Sequence, residues 1–295
     1  MPELPDILLY QTALNRRIAG QVLHSVIIRS PFLLRTWEQD PSTLVGLRVN
    51  SVERLGKRLV WCLEQNVFVV IHLMIAGRFH WKNRVAMPTG KNDLAAFQFE
   101  RGTMMFTEAS TKKRAGMWIV VGRDEVNRLH TPGLDTLGCD LAVFRQVLLS
   151  RNNTLKRALA DPNRFDGIGN AYSDEILFAA RLSPLQRTEN LSELEIERLW
   201  QSCRDTLQWW IDFLQAKHAN DFPERVTAFR PEMKVHGKYG EPCGTCQAPI
   251  QRIRYADNEC NYCPGCQTQG RILADRSLSR LLKDDWPKTL DELES

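Results

Sequence analysis

MWIVVGRDEVNRLHTPGLDTLGCDLAVFRQVLL, residues 117–149, contains the change of period on which the fold turns. Met117–Val121 is a short apolar run of strand type, whereas Leu141–Leu149 carries its apolar residues at helical spacing. Between them Thr131-Pro132-Gly133 interrupts both patterns. Upstream, Val22–Ile28, Arg48–Val52, Leu59–Leu63, Val67–Leu73, Phe97–Phe99 and Met104–Thr107 are further short runs rich in Val, Ile, Phe and Trp, each closed by Gly, Asn or charge. Such spacing predicts a β-sandwich or barrel, preceded by a short helix over Asp6–Ile18 with Pro5 as its first residue. Downstream, Asn153–Ala160, Ala171–Ala180 and the stripe Ile196, Leu199, Trp200, Cys203, Leu207, Ile211 and Leu214 predict helices to about Lys217. Ser192 and Glu195 are spaced as a capping box for the last of them.

The chain has 295 residues, 43% apolar and 25% charged, enough for two domains and a small third module. Its longest uncharged apolar run, Asn66 to Gly77, is well short of the roughly 20 residues that cross a bilayer. The N-terminus is acidic and proline-punctuated, unlike a signal peptide, so a cytoplasmic setting is expected. The net charge of +4 is weak, but residues 1–135 hold 18 Lys/Arg against 12 Asp/Glu and the rest 21 against 23, so the basic surplus lies in the first half.

Eight cysteines are present, and five fall within two dozen residues. Cys243-x2-Cys246 and Cys263-x2-Cys266, with sixteen residues between, form two knuckles with Gly or Pro-Gly inside. Four thiolates at this spacing suit one structural Zn²⁺ with a closed shell. Cys260 makes a competing knuckle with Cys263 but would leave Cys266 over, and is read as a bystander. Pro2 becomes a secondary α-amine at a helix N-terminus once Met1 is removed; a neutral amine there attacks carbonyl-like carbons, and Glu3 can pass protons. The plainer reading is two residues common at helix starts. Gly167-Ile168-Gly169-Asn170, ahead of a helix, is a turn in which Asn170 can cap, and equally an anion site. Lys57, His72 and the run Lys112-Lys113-Arg114 are cations or donors at strand ends, by themselves solvated or core residues.

Together the motifs resemble the formamidopyrimidine-DNA glycosylase and endonuclease VIII family: Pro2-Glu3-Leu4-Pro5-Asp6, Gly56-Lys57, His72-Leu73 ahead of Gly77, Gly167-Ile168-Gly169-Asn170-Ala171-Tyr172-Ser173-Asp174-Glu175 and the four-cysteine finger, in that order. The resemblance covers about residues 2–267. It implies a multidomain α+β fold: an N-terminal β-sandwich with a leading helix (1–131), a helix-two-turns-helix domain (132–219), a linker and zinc-finger β-hairpin (220–270) and a tail (271–295). It also implies a monomeric base-excision repair enzyme, nucleoid-associated if bacterial, that holds damaged or abasic DNA between its lobes and flips the base. By the family pattern Pro2 attacks C1′, Glu3 protonates the sugar oxygen, and Lys57, His72 and Asn170 hold phosphates. Lys57 is the alternative nucleophile.

The chain departs from that pattern at several positions. Asn258 stands where the family presents a phosphate-clamping Arg, with Arg252 and Arg254 nearby; Ile75 stands where a Met fills the gap left by the flipped base; the companions of that Met fall near Lys113 and Ala115, with Arg114 between. Asp6 replaces a Glu, and the link from His218 to Val235 is short, which predicts poor excision of 8-oxoguanine. The tail shows an amphipathic pattern (Ile272, Leu273, Leu278, Leu281, Leu282, Trp286) suited to packing back on the helical domain. The competing reading is a damaged-DNA or abasic-site binder of the same fold with weak or no catalysis. A zinc-ribbon adaptor would explain the cysteines alone.

Overall fold

Alternation of inward and outward side chains sorts the first half of the chain into two four-stranded antiparallel sheets. The computed structural model describes residues 1–36, 38–131, 133–255, 258–275 and 287–294. One sheet has the order β1 (Leu23–Ile28), β6 (Asp93–Phe99), β7 (Gly102–Glu108), β5 (Gly77–Lys82). The other has the order β2 (Val49–Leu55), β3 (Arg58–Leu63), β4 (Val67–His72), β8 (Gly116–Val121). Aromatic rings fill the interior: Trp61 meets Phe97 edge-on at 4.9 Å and Phe79 lies 5.0 Å from Phe106. Helix α1 (Leu4–Ile18) buries Ile7, Tyr10, Leu14 and Ile18, and Glu3 and Asp6 form a capping box at its start.

Two connections between the sheets leave from neighbouring strand pairs. Gly77 is paired with Glu108, and His72 with Gly116. The 73–76 turn from β4 to β5 and the 109–115 loop from β7 to β8 therefore start and finish side by side. The turn is tight: the N–H of Gly77 donates to the Leu73 carbonyl at 2.9 Å, and Met74 takes the left-handed region at φ 52°.

The chain divides into two compact units, Met1–Thr131 with Trp210–Thr227, and Pro132–Trp209 with Ala228–Ser295. In the first, the 218–227 link lies on the sandwich: Phe222 meets Tyr10 at 6.1 Å, and Glu224 takes His80 at 2.5 Å and the Trp81 N–H at 3.2 Å. The second unit holds α3 (Leu141–Leu149), α4 (Leu155–Leu159), α5 (Asn170–Ala179), most of α6 (Glu193–Lys217) and the hairpin β9 (Gln251–Tyr255) and β10 (Asn258–Tyr262), followed by α7 (Pro264–Thr268). The expected capping box is formed, with Ser192 N–H to Glu195 at 2.8 Å and Glu195 N–H to Ser192 Oγ at 3.3 Å.

The structure adds two elements, corrects one expectation and tests part of another. Strand β5 and the short helix α2 (Arg123–Arg128) were not foreseen. Gly169, not Asn170, is the N-cap of α5, and Asn170 is its first helical residue. Of the tail pattern, Ile272 and Leu273 are buried, and Leu273 joins Ile253, Cys260 and Tyr262 against Leu185; Leu278, Leu281, Leu282 and Trp286 lie outside the described residues. No helix among the described residues is long and apolar enough to cross a membrane.

A Cβ on Gly77 would sit 2.3 Å from the Leu73 carbonyl oxygen, which is backbone and cannot rotate away. Gly77→Ala is expected to cost about 2 kcal/mol, roughly 4–8 °C in Tm, by opening the turn. A thermal melt checks this, and an unchanged Tm would mean that the turn opens freely.

Candidate functional site

Helix α1 runs antiparallel to β2. The Asn15 side chain bonds both the N–H and the carbonyl of Val52, each at 2.8 Å, and the Gly20 N–H donates to Val49 at 2.7 Å. The N-terminus of α1 is thereby carried toward the Leu55 end of β2, where the Gly56-Lys57 turn leads into β3. Pro2 and Glu3 are buried there, and the Glu3 N–H donates to Asp6 at 3.0 Å. Partial burial depresses the α-amine of Met1 below its ordinary value; Arg78 and Lys57 act in the same direction, and Glu3 and Asp6 oppose them.

His72 ends β4 opposite Arg58. Its Nδ1 accepts the Met74 N–H at 2.9 Å, so in the neutral ring the proton resides on Nε2 and that nitrogen is a donor. Burial, then the positive charges of Arg58, Lys57, His130 and the terminus, lower its pKa from 6.5 to about 4. His72 is thus a neutral donor at pH 7. Arg78 braces the following turn by donating to the Ile75 carbonyl at 3.1 Å and to that of Gly77 at 2.6 Å. Ile75, at the outer point of the turn, is 55% exposed. In the neighbouring loop the buried Glu108 carboxylate accepts the Arg114 N–H at 3.0 Å and the Ala115 N–H at 3.2 Å, and the Lys113 ammonium bonds the Glu108 carbonyl. Lys113 is therefore held against its own loop, while Arg114 is exposed and Ala115 buried.

In the second unit the start of α5 organises the site. Lys156 donates to the Asn170 carbonyl at 2.5 Å, to Ser173 Oγ at 2.9 Å and to Asp174 at 2.6 Å. The other Asp174 oxygen takes His236 Nδ1 at 2.7 Å and the Asn261 N–H at 3.1 Å. Burial works against the charge of Asp174, but Lys156 and His236 outweigh it and hold the carboxyl below its ordinary range. Glu175 accepts the successive N–H groups of Lys234, Val235 and His236 at 2.8–2.9 Å. Burial raises its pKa, with those three donors pulling the other way. The Asn170 amide donates to the Glu259 carbonyl of β10 at 2.9 Å. Asn258, the first residue of β10, is exposed and paired with Tyr255.

Cys243, Cys246, Cys263 and Cys266 converge, all four sulfurs lying within 4.8 Å of one another. Ligands about 2.3 Å from one ion at tetrahedral angles would be roughly 3.8 Å apart, and the 3.9 Å and 3.3 Å separations of Cys243–Cys266 and Cys246–Cys263 suit this. Cys260 points instead into the apolar cluster under the hairpin, where burial pushes its thiol well up. Sequence reasoning missed Arg78, Lys156 and His236. Arg78 follows Gly77 directly, whereas nothing local marks the other two.

Residues 1–115 match the model of the formamidopyrimidine-DNA glycosylase N-terminal domain, and residues 133–218 that of its H2TH domain. The formamidopyrimidine-DNA glycosylase of Desulfitobacterium hafniense (strain DSM 10664 / DCB-2) is 30% identical, over 90% of this chain and all of that one. The Lactococcus lactis enzyme bound non-covalently to DNA with an abasic site superposes with a TM-score of 0.79 at 26% identity, over 90% of this chain and 99% of that one. The same enzyme with DNA containing an oxidised pyrimidine superposes at 0.80.

The depressed acidity of His72 makes stability depend on pH. Between pH 6.5 and about 4 the unfolded chain takes up this proton and the folded chain does not. The contribution is complete above pH 6.5 and is lost as the pH falls toward 4, by at most about 3 kcal/mol. Urea denaturation of wild type and His72→Gln from pH 4 to 7 should show a shallower slope for the variant. Equal slopes would refute the assignment.

Proposed function

Because this chain belongs to the formamidopyrimidine-DNA glycosylase family, and so to the DNA-repair glycosylases, we propose that it removes a damaged base and then cleaves the strand at the abasic site through Pro2. The observation that carries this reading is the burial of Pro2 at the start of α1, at the end of β2 where the Gly56-Lys57 turn lies, since desolvation there disfavours a charged amine once Met1 is removed. Only a neutral amine has the lone pair that the chemistry needs.

After removal of Met1, the Pro2 nitrogen attacks C1′, the N-glycosidic bond breaks with its electrons going to the base, and the proton that the new ammonium loses ends on the departing base. Glu3 delivers a proton to O4′ as the sugar ring opens to the iminium. Loss of a C2′ proton expels the 3′ phosphate, a second elimination expels the 5′ phosphate, and water hydrolyses the iminium to return Pro2. Lys57 and the neutral Nε2–H of His72 hold phosphates flanking the reacting sugar, Arg114 adds an exposed cation in the neighbouring 109–115 loop, and Ile75 occupies the space of the everted base. Asn170 supplies a further phosphate contact, its amide oriented by the Glu259 carbonyl. Asn258 offers only a neutral side chain where the family presents a cation, and with the altered wedge at Ile75 this departure from the family pattern leaves, as second reading, a binder with little turnover.

Borohydride should trap a covalent adduct of the mature protein with abasic DNA. Retaining Met1 or adding an N-terminal tag should abolish trapping with DNA affinity largely kept, and Glu3→Gln should slow base release about 10²–10⁴-fold. Cross-linking at the normal rate by a blocked terminus would exclude Pro2 and leave Lys57 as nucleophile; no adduct from the free terminus would support the binder.

The four cysteines hold one Zn²⁺ in a structural role, since a closed thiolate shell leaves no position for substrate and metal binding contributes directly to local folding. Elemental analysis should find one zinc per chain, lost in the double variant Cys263→Ser, Cys266→Ser along with salt-sensitive DNA binding. A metal-free preparation with full affinity would contradict this.

A further inference from the structure

The segment from Ala228 to Gly240 leaves two aromatic rings facing outward: Phe229 is 66% exposed and Tyr239 50%. Both are fixed from behind. Phe229 lies nearly parallel to the imidazole of the buried His236, centres 5.5 Å apart at 23°. It covers Gly237, whose φ of +74° suits glycine and where a Cβ would come within 2.8 Å of the ring. The Tyr239 ring carries the Arg252 guanidinium at 4.1 Å, a cation–π contact.

Each ring is tied to Asn170 by its own chain of contacts. From Phe229 the chain runs through His236 to Asp174 at 2.7 Å, on to Lys156 at 2.6 Å, and from Lys156 to the Asn170 carbonyl at 2.5 Å. From Tyr239 it runs through Arg252 to Glu259 at 3.7 Å, whose carbonyl accepts the Asn170 amide at 2.9 Å. The rings are held rigidly and cost little entropy to use. Aromatic faces beside a guanidinium match the π-face and phosphate of an unpaired nucleotide, and such stacking tolerates any base. Bases of an intact duplex are already stacked on each other and offer no free face.

We propose that Phe229 and Tyr239 form a stacking surface for unpaired bases flanking the lesion, so that damaged DNA with single-stranded character beside the lesion is a preferred substrate. This rests on the glycosylase reading above.

The test uses the full-length, zinc-loaded protein and one tetrahydrofuran abasic analogue placed either in a paired duplex or in a bubble, with 2-aminopurine beside it. Wild type should bind the bubble more tightly and quench the 2-aminopurine. The double variant Phe229→Ala, Tyr239→Ala should weaken bubble binding about 10–100-fold and abolish quenching, while duplex affinity and Tm hold nearly constant. Phe229→Trp with Tyr239→Trp should restore both signals. Equal losses on bubble and duplex, or no loss on the bubble, overturn the proposal even if wild type is still trapped on abasic duplex. Failure of wild type to be trapped by borohydride when a natural abasic site, with its C1′ aldehyde, replaces the analogue in either DNA overturns the glycosylase reading itself.

Discussion

One side-chain amide decides where the chain begins. Asn15 pairs with the peptide group of Val52 much as a neighbouring strand would, its nitrogen to the carbonyl and its oxygen to the N–H, each at 2.8 Å. A helix on a sheet is ordinarily free to slide by a fraction of a turn, because apolar contacts have no direction. A bidentate hydrogen bond has one, and sliding would leave two partly buried backbone groups unmade. With α1 fixed along β2, Pro2 and Glu3 must fall at the Leu55 end, beside Lys57. The strand pairing then adds the rest, since Arg58 opposite His72 and Gly77 opposite Glu108 bring a hairpin turn, a histidine and two loops to the same end of the sandwich.

The second unit is fixed by buried carboxylates. Asp174 and Glu175 are adjacent on α5, yet their partners come from Lys156, from 234–236 and from Asn261. Removing water from such a pair of acids is costly, and the cost is met only where each oxygen finds its donors. The arrangement therefore specifies geometry more than it adds stability. It locks the start of α5 to the loop before the cysteine cluster and to the hairpin, and Asn170 is positioned as a consequence.

Strand and helix types were legible where apolar residues dominate, as in Val67–His72 and Leu141–Leu149. Gly77–Lys82 alternates correctly, with Phe79 and Trp81 inward, but Arg78, His80 and Lys82 leave it without a continuous apolar run. Arg123–Arg128 offers only Val126 as an apolar anchor. Cysteine spacing revealed which four sulfurs converge because knuckle geometry is local. His236 could not be found in this way: its partner lies 62 residues earlier, and neither residue carries a motif that names the other. The Asn170 cap failed for a related reason. Asparagine suits a cap, yet here its amide is engaged by Glu259, and Gly169 takes the position.

Under the proposed mechanism the first unit has to reconcile two opposite electrostatic demands. Gripping a polyanion calls for cations, while a nucleophilic amine must stay uncharged. Lys57 and Arg78 would meet both, because a positive charge that attracts phosphate also disfavours a second positive charge nearby, as it does on the α-amine of Met1. Glu3 and Asp6 act against that shift, and their proximity is tolerated because burial is the larger influence. His72 is subject to the same cations and the same burial, which keep it neutral and leave its Nε2–H as a donor that adds no charge. A protonated imidazole there would hold phosphate more tightly but would add to the positive field around Lys57 and Arg58, so neutrality is the state that the surrounding charges themselves impose.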